Sequence, residues 1–343
     1  MRVSAVLSVS LLYAVLLYVR RVVAGGSVMS YLVWLSACAP AQSGAQTAAP
    51  LPAPSSPEMQ QFQAHWNDGK AEINHYAVTQ ARYGEPRKAD VFLIFVTEPF
   101  NLEKQVKADD QPEHPAVAPV LKLNRIKKYQ TGIYDYSLMT SVFAPVVPYT
   151  IEKAAFPAGA PIKIAFTSQE WCGTTFHQLN RQKSGMKSSS YSYFETENDR
   201  IAPLQSDANA FFADNIFLAV RELFQPLKET SVIYYPTLET VRLSHKALNA
   251  APATISKKEG QRTYAGKQVA TTEWVMTTSG VEWLISVEKA YPRRILLYQV
   301  REGTTVVEEG ELKTSVRLPY WSLNKTNDES YLKQFKLNRT LAK

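Results

Sequence analysis

The feature that most constrains the fold is a succession of short apolar runs, rich in β-branched and aromatic residues and interrupted at close intervals by Gly, Pro, Asn and Ser. Residues 90–97, with Val91, Phe92, Leu93, Ile94, Phe95 and Val96 in one block, read as a strand buried on both faces. Residues 120–124 and 162–166 alternate apolar and polar, so they cover a core on one side only. Residues 133–143, 187–195, 271–277, 280–288 and 294–300 continue the pattern. The loop chemistry of residues 180–185 predicts a hairpin between its flanks, and Arg301-Glu302-Gly303 predicts a tighter one. Punctuation this close favours antiparallel connections over βαβ crossovers. The expected class is mainly β (α+β): a large curved antiparallel sheet or half-barrel with one main helix packed on it. That helix starts at Phe212, where Ile216, Ala219, Val220, Leu223 and Phe224 share a face, Asp207 or Asp214 serves as cap, and Pro226 ends it. A second is expected near Asp328, with Tyr331, Leu332 and Phe335 on one side.

The N-terminus speaks for the compartment. Residues 3–19 are almost unbroken apolar chain, Arg20-Arg21 follow, and a second apolar stretch ends in Leu35-Ser36-Ala37-Cys38. That ending has the form of a lipobox: a branched apolar residue, two small ones, then the cysteine that takes the lipid. Residues 1–37 are therefore expected to be a signal or membrane segment, with Cys38 the lipid attachment site. Two apolar stretches in tandem imply that translation begins later than Met1, shortly before Arg20-Arg21; Met29 leaves no positive charge and too little apolar length before Cys38. The alternative is an N-terminal membrane anchor in which Cys38 is incidental. Residues 38–60, rich in Ala, Pro, Ser and Gln, read as a flexible tether. Residues 61–343 then form the β-rich envelope domain, in one piece or in two halves split near 205–230.

Composition narrows the partners. Of the seven net positive charges, three belong to Arg2, Arg20 and Arg21, which leaves four for the rest. Arg125-Ile126-Lys127-Lys128 and Arg293-Arg294 are isolated basic groups and read as solvated faces, so no nucleic-acid partner is expected. Cys38 and Cys172 are the two cysteines, and lipid on the first leaves Cys172 without a disulfide partner in the chain.

Several stretches taken together resemble a family of Bacteroidota envelope lipoproteins: Gln80-Ala81-Arg82-Tyr83-Gly84-Glu85, Ile94-Phe95-Val96-Thr97-Glu98, Lys104-Gln105-Val106-Lys107, Thr131-Gly132-Ile133-Tyr134, Ser168-Gln169-Glu170-Trp171-Cys172-Gly173 and Leu318-Pro319-Tyr320-Trp321. The resemblance implies an envelope location and no particular activity. Members sometimes carry the label "septum formation inhibitor Maf", which implies a cytoplasmic nucleotide pyrophosphatase. That family opens on a Ser-x-Ser-Pro-Arg-Arg turn, whereas the nearest text here, Pro54-Ser55-Ser56-Pro57, has no arginine. Glu282-Trp283-Leu284 and Tyr291-Pro292-Arg293-Arg294-Ile295 are similar to periplasmic domains of the LolA/LolB and DUF3108 kind, whose curved sheets hold apolar guests. Ala39 after the cysteine resembles lipoproteins passed on to the outer membrane, facing the periplasm.

The densest chemistry is residues 168–177. Cys172 and His177 are a candidate nucleophile and base, and Glu170, Trp171, Cys172 and His177 together are candidate ligand-binding residues. On one continuous strand residues five apart face opposite sides, so the pair meets only if Gly173 marks a bulge or turn. The plainer readings are a buried structural cysteine beside a polar-rimmed histidine, and a satisfied edge carboxylate at Glu170. Tyr191, Tyr193, Tyr234 and Tyr235 are the residue type that stacks on sugars. His65, His75, His114 and His245 lack metal-ligand spacing, and no phosphate loop or nucleophile elbow is present, so neither metal nor cofactor is expected. Three functions remain: non-enzymatic binding of an apolar or glycan ligand or of another envelope protein, a hydrolase or transferase built on Cys172 and His177, and a purely structural envelope component.

Overall fold

In the computed structural model the described residues are 57–109, 114–206, 209–335 and 337. The leader, Cys38, the Maf-like text at 54–56 and Asp207 lie outside them. The first element is the helix α1 (Pro57–Trp66), which buries Phe62 and Trp66 and starts within the stretch read as tether.

The sheet is built from two meanders. The first comprises β1 (Ala71–Arg82), β2 (Glu85–Asn101), β3 (Val106–Lys107), β4 (Val117–Thr131), β5 (Tyr134–Pro145), β8 (Lys163–Glu170), β9 (Gly173–Gln182), β10 (Gly185–Ser192) and β11 (Arg200–Leu204). A separate two-stranded ribbon, β6 (Tyr149–Ile151) and β7 (Ala154–Phe156), is inserted in it. The second comprises β12 (Ala210–Phe212), β13 (Thr230–Tyr235), β14 (Ala251–Tyr264), β15 (Lys267–Thr278), β16 (Val281–Glu288), β17 (Ile295–Glu302) and β18 (Thr305–Leu318). The first and last long strands, β1 and β18, pair antiparallel from Ala71↔Leu318 to Gln80↔Glu308 and join the meanders into one 16-stranded sheet. The sheet does not close, and its order runs from β11 at one edge to β12 at the other. All pairings are antiparallel except β12 with β13, which makes the sheet mixed.

The mainly β expectation holds, and both expected hairpins are present: β9 to β10 across Lys183-Ser184, and β17 to β18 across Gly303-Thr304. At the β1–β2 turn Tyr83 and Gly84 both take positive φ, 56° and 76°, the geometry whose twist matches that of the flanking strands. One core spans both meanders, from Leu179 on β9 through Tyr76 and Leu123 to Trp274 and Ile285. The sheet's inner face therefore curls around shared contents. On the outer face Ala71, Ile73 and Val96 are covered by Trp321 and Phe335 of the C-terminal segment, which explains why residues 90–97 are apolar on both sides.

Three expectations are corrected. The main helix is a 3₁₀ turn (Ala213–Asn215) followed by α2 (Ile216–Ala219), because i→i+3 bonds from Arg221 and Glu222 tighten the next turn and Glu222 then goes left-handed at φ 47°. Its apolar residues Ile216, Phe217, Val220 and Leu223 still enter the core. The segment near Asp328 is a 3₁₀ helix (Thr326–Gln334) with Tyr331 and Leu332 exposed; only Phe335 packs, edge-on to Phe92 at 5.2 Å. The basic group 125–128 is a solvated face only at Lys128. Residues 121, 123, 125, 127 and 129 share the core-facing side of β4, so Arg125 is 9% and Lys127 0% exposed. Arg293 and Arg294 are only half-exposed: Arg294 grips Glu288 at 2.7 and 2.8 Å, and Arg293 donates to the Glu222 carbonyl at 2.8 Å.

Candidate functional site

A third helix, α3 (Leu238–Ser244), lies over the inner face of β5 and β8. Thr237 caps it by accepting the Thr240 amide at 3.0 Å, and His245 ends it at a left-handed φ of 53°. It is held from below by charge. Arg125 bonds Glu239 and, at 2.8 Å, Glu308; Lys127 donates to Glu239 at 2.5 Å, Glu308 at 2.6 Å and Gln80 at 2.7 Å. Tyr298 completes the cluster by donating to Glu308 at 2.8 Å. Two cations and two carboxylates thus share one buried neutral quartet that ties β1, β4, β17 and β18 to α3. Burial by itself raises the Glu308 carboxyl, but the Lys127 ammonium and Arg125 guanidinium outweigh it and hold it at about 2. Gly310 is required here, since a Cβ on it would lie 2.3 Å from the Tyr298 ring.

Above the quartet and beneath α3 is a cavity of about 330 Å³. Leu123, Val142, Phe217, Trp283 and Val300 wall it, Arg125, Glu239 and Glu308 of the quartet form its floor, and exposed Tyr83, Gly84 and Ser244 stand at its mouth. Asp214 also faces it. Burial pushes the Asp214 carboxyl up to about 7, against the opposing pull of the Leu238 amide and Arg125. Near neutral pH this group therefore presents both a hydrogen-bond donor and an acceptor to whatever occupies the space. Asp214 caps α3 rather than the turn it belongs to.

The residues singled out from the sequence fall elsewhere. Trp171 and Cys172 form the two-residue tip of the β8–β9 hairpin, with Trp171 69% exposed and Cys172 exposed instead of buried. His177 sits four steps along β9 from Gly173, roughly 13 Å away at a strand rise of about 3.3 Å per residue, so the turn does not bring it to the thiol. It bonds the Ser188 hydroxyl at 2.8 Å, and burial lowers its imidazole to about 4. Glu170 is buried and spent on Arg242 of α3. Of the four, it is the one bonded to α3, which it supports from β8. Tyr191 and Tyr193 are exposed, whereas Tyr234 and Tyr235 are buried. Among the described residues no group of three or more His, Cys, Asp or Glu is placed to hold a metal.

Sequence reasoning passed over Arg125, Lys127, Glu239 and Glu308. Continuing the Leu121, Leu123 alternation by two further steps puts Arg125 and Lys127 on the core face, and that was the available signal. Nothing local marks Glu239 or Glu308, whose roles arise from contacts more than a hundred residues away in the chain. No family model, no curated protein and no solved structure matches this chain.

Proposed function

We propose that this protein is an envelope lipoprotein, anchored through Cys38, whose β-rich body binds a small amphiphilic ligand without transforming it. The cavity beneath α3 carries this reading. It has apolar walls for an aliphatic or ring portion, the charged groups Arg125, Glu239 and Glu308 in its lining for a polar portion, and exposed residues at its mouth. Its volume lies at the lower end of the range for small-molecule sites. Support for the anchor comes from the Leu35-Ser36-Ala37-Cys38 ending and the charge-free stretch after it. Catalysis by Cys172 and His177 is disfavoured by their separation and by the bond that already occupies the imidazole.

The test is saturable binding of a neutral apolar fluorophore, N-phenyl-1-naphthylamine, to the wild-type chain and to Val300→Trp, which fills the cavity from a partly buried wall position. The expected result is one site in the wild type and at least tenfold weaker binding in the variant. Equal binding by the two proteins overturns the assignment.

A further inference from the structure

Among the described residues four arginines are almost fully buried: Arg125, Arg181, Arg221 and Arg242. Three of them sit on carboxylates, Arg125 on Glu239 and Glu308, Arg221 on Glu72, and Arg242 on Glu170. Arg181 does not. It lies on β9, 7% exposed, and its Nε and Nη2 donate to the Pro161 carbonyl at 3.1 and 2.9 Å. Its remaining interactions are with the Tyr149 hydroxyl and with two aromatic rings, Phe156 and Phe212, whose centroids are 5.0 and 5.7 Å from the guanidinium carbon. No carboxylate pairs with it among the described residues. A guanidinium keeps its proton, so a full positive charge stands in a largely apolar setting with donors to spare.

That charge opens on space. A cavity of about 610 Å³ is lined by Arg181 together with Phe156, Phe211, Leu223, Phe224 and Leu227. Exposed Lys183 adds a second cation at its rim. The acidic group on its wall, Glu222, is already engaged: Oε1 accepts the Leu227 amide at 3.0 Å, and Lys257 and Arg293 each lie 3.7 Å from the carboxylate. An uncompensated buried cation is costly to hold, and an anion brought to it recovers that cost through charge-assisted hydrogen bonds.

We propose that this cavity is a second binding site, for a small anionic amphiphile whose carboxylate or phosphate head meets Arg181 and whose aliphatic tail lies among Phe211, Leu223, Phe224 and Leu227. It shares no lining residue with the cavity beneath α3. The ordinary structural role of Arg181, clipping β9 to Pro161, predicts no preference for one head group over another. Head-group preference is therefore the deciding property.

The experiment is isothermal titration of the full chain with decanoate, decyl phosphate and decanol, in the wild type, Arg181→Met, Ala155→Trp and Val300→Trp. The expected result is saturable binding of at least one anion, at least tenfold tighter than decanol. Arg181→Met lowers anion affinity at least tenfold and brings it within twofold of decanol. Ala155→Trp, placed at an exposed lining position so that the fold is undisturbed, blocks the site with Arg181 intact. Val300→Trp leaves anion binding unchanged, so failure of this site and failure of the cavity beneath α3 are read separately. The comparison of decanoate with decyl phosphate identifies the favoured head. Absence of anion binding in the wild type, equal affinity for anion and alcohol, or anion binding that survives Ala155→Trp overturns the proposal.

Discussion

Asp214 and Leu238 join the helical turn between β12 and β13 to the helix that roofs the cavity: both carboxylate oxygens of Asp214 accept the Leu238 amide, at 3.1 and 3.3 Å. The same carboxylate is fully buried, with its proton held up to about 7 by loss of water. In the unfolded chain it titrates near 3.8. Between those values the folded protein binds more protons than the unfolded one, so this group's contribution is most favourable below about 4 and is lost as pH rises to 7. Asp214→Asn keeps an acceptor for Leu238 and removes the charge. At pH 8 the variant is expected to be more stable than the wild type by about 1–3 kcal/mol, with the gap closing by pH 4. Urea denaturation at the two pH values measures this, and a parallel offset at both would contradict it.

The quartet responds to acid with the opposite sign. Glu308 is held at about 2, and Glu72, where burial opposes and Arg221 prevails, also at about 2. Both carboxyls titrate near 4.5 when unfolded. Their stabilisation is complete above about 4.5 and disappears as pH falls through 2. Glu308→Ala leaves Lys127 and Arg125 facing one carboxylate instead of two, at an expected cost of about 3–5 kcal/mol at pH 7. The cost is expected to shrink steadily below pH 4.5 in denaturant titrations; a pH-independent difference would mean that the quartet is not ionised as described.

Gly310→Ala tests the packing that positions Tyr298. The added methyl cannot share space with a ring 2.3 Å away, so the substitution should cost about 1–3 kcal/mol. Tyr298→Ala on the same chain removes the obstacle. The double variant is then expected to lose less than the sum of the two single losses, which thermal unfolding of all four proteins will show.

Cys172 is exposed at a hairpin tip, remote from His177 along β9. Iodoacetamide should therefore modify it in the native protein at a rate unchanged by His177→Gln. Cys172→Ser should leave stability within about 0.5 kcal/mol of the wild type, as for other exposed positions. A His177-dependent alkylation rate between pH 5 and 8 would revive a thiol–imidazole pair.

Particular residues show how far the sequence could be read. Alternation at 120–124 and 162–166, the unbroken block at 90–97 and the two hairpin loops all located real strands, because strand burial has a period of two that single residues display directly. The mainly β class followed. Three things were not legible. The join of β1 to β18 links residues 71 and 318, and no local pattern encodes it. The helix α3 has seven residues, too few for a helical period to emerge, although Thr237 after Pro236 was a usable cap signal. Arg181 falls among polar neighbours that read as a loop, whereas it lies within β9, paired with Met186, with its guanidinium buried. The residues rich in chemistry at 168–177 drew attention to a turn, while the cavities were built from charges that sequence proximity does not connect.

The central claim is that the inner cavity beneath α3 holds a small molecule. Native mass spectrometry of the wild-type chain and Val300→Trp, each purified from its own envelope, tests it most directly and reads the mass on Cys38 in the same spectrum. The account predicts a one-to-one adduct of a small amphiphile that is present on the wild type and lost from Val300→Trp, apart from any anionic adduct at the Arg181 site, which both proteins carry, while the Cys38 lipid is retained by both. A wild-type spectrum with no adduct, or one in which every adduct recurs at equal abundance on Val300→Trp, would contradict it.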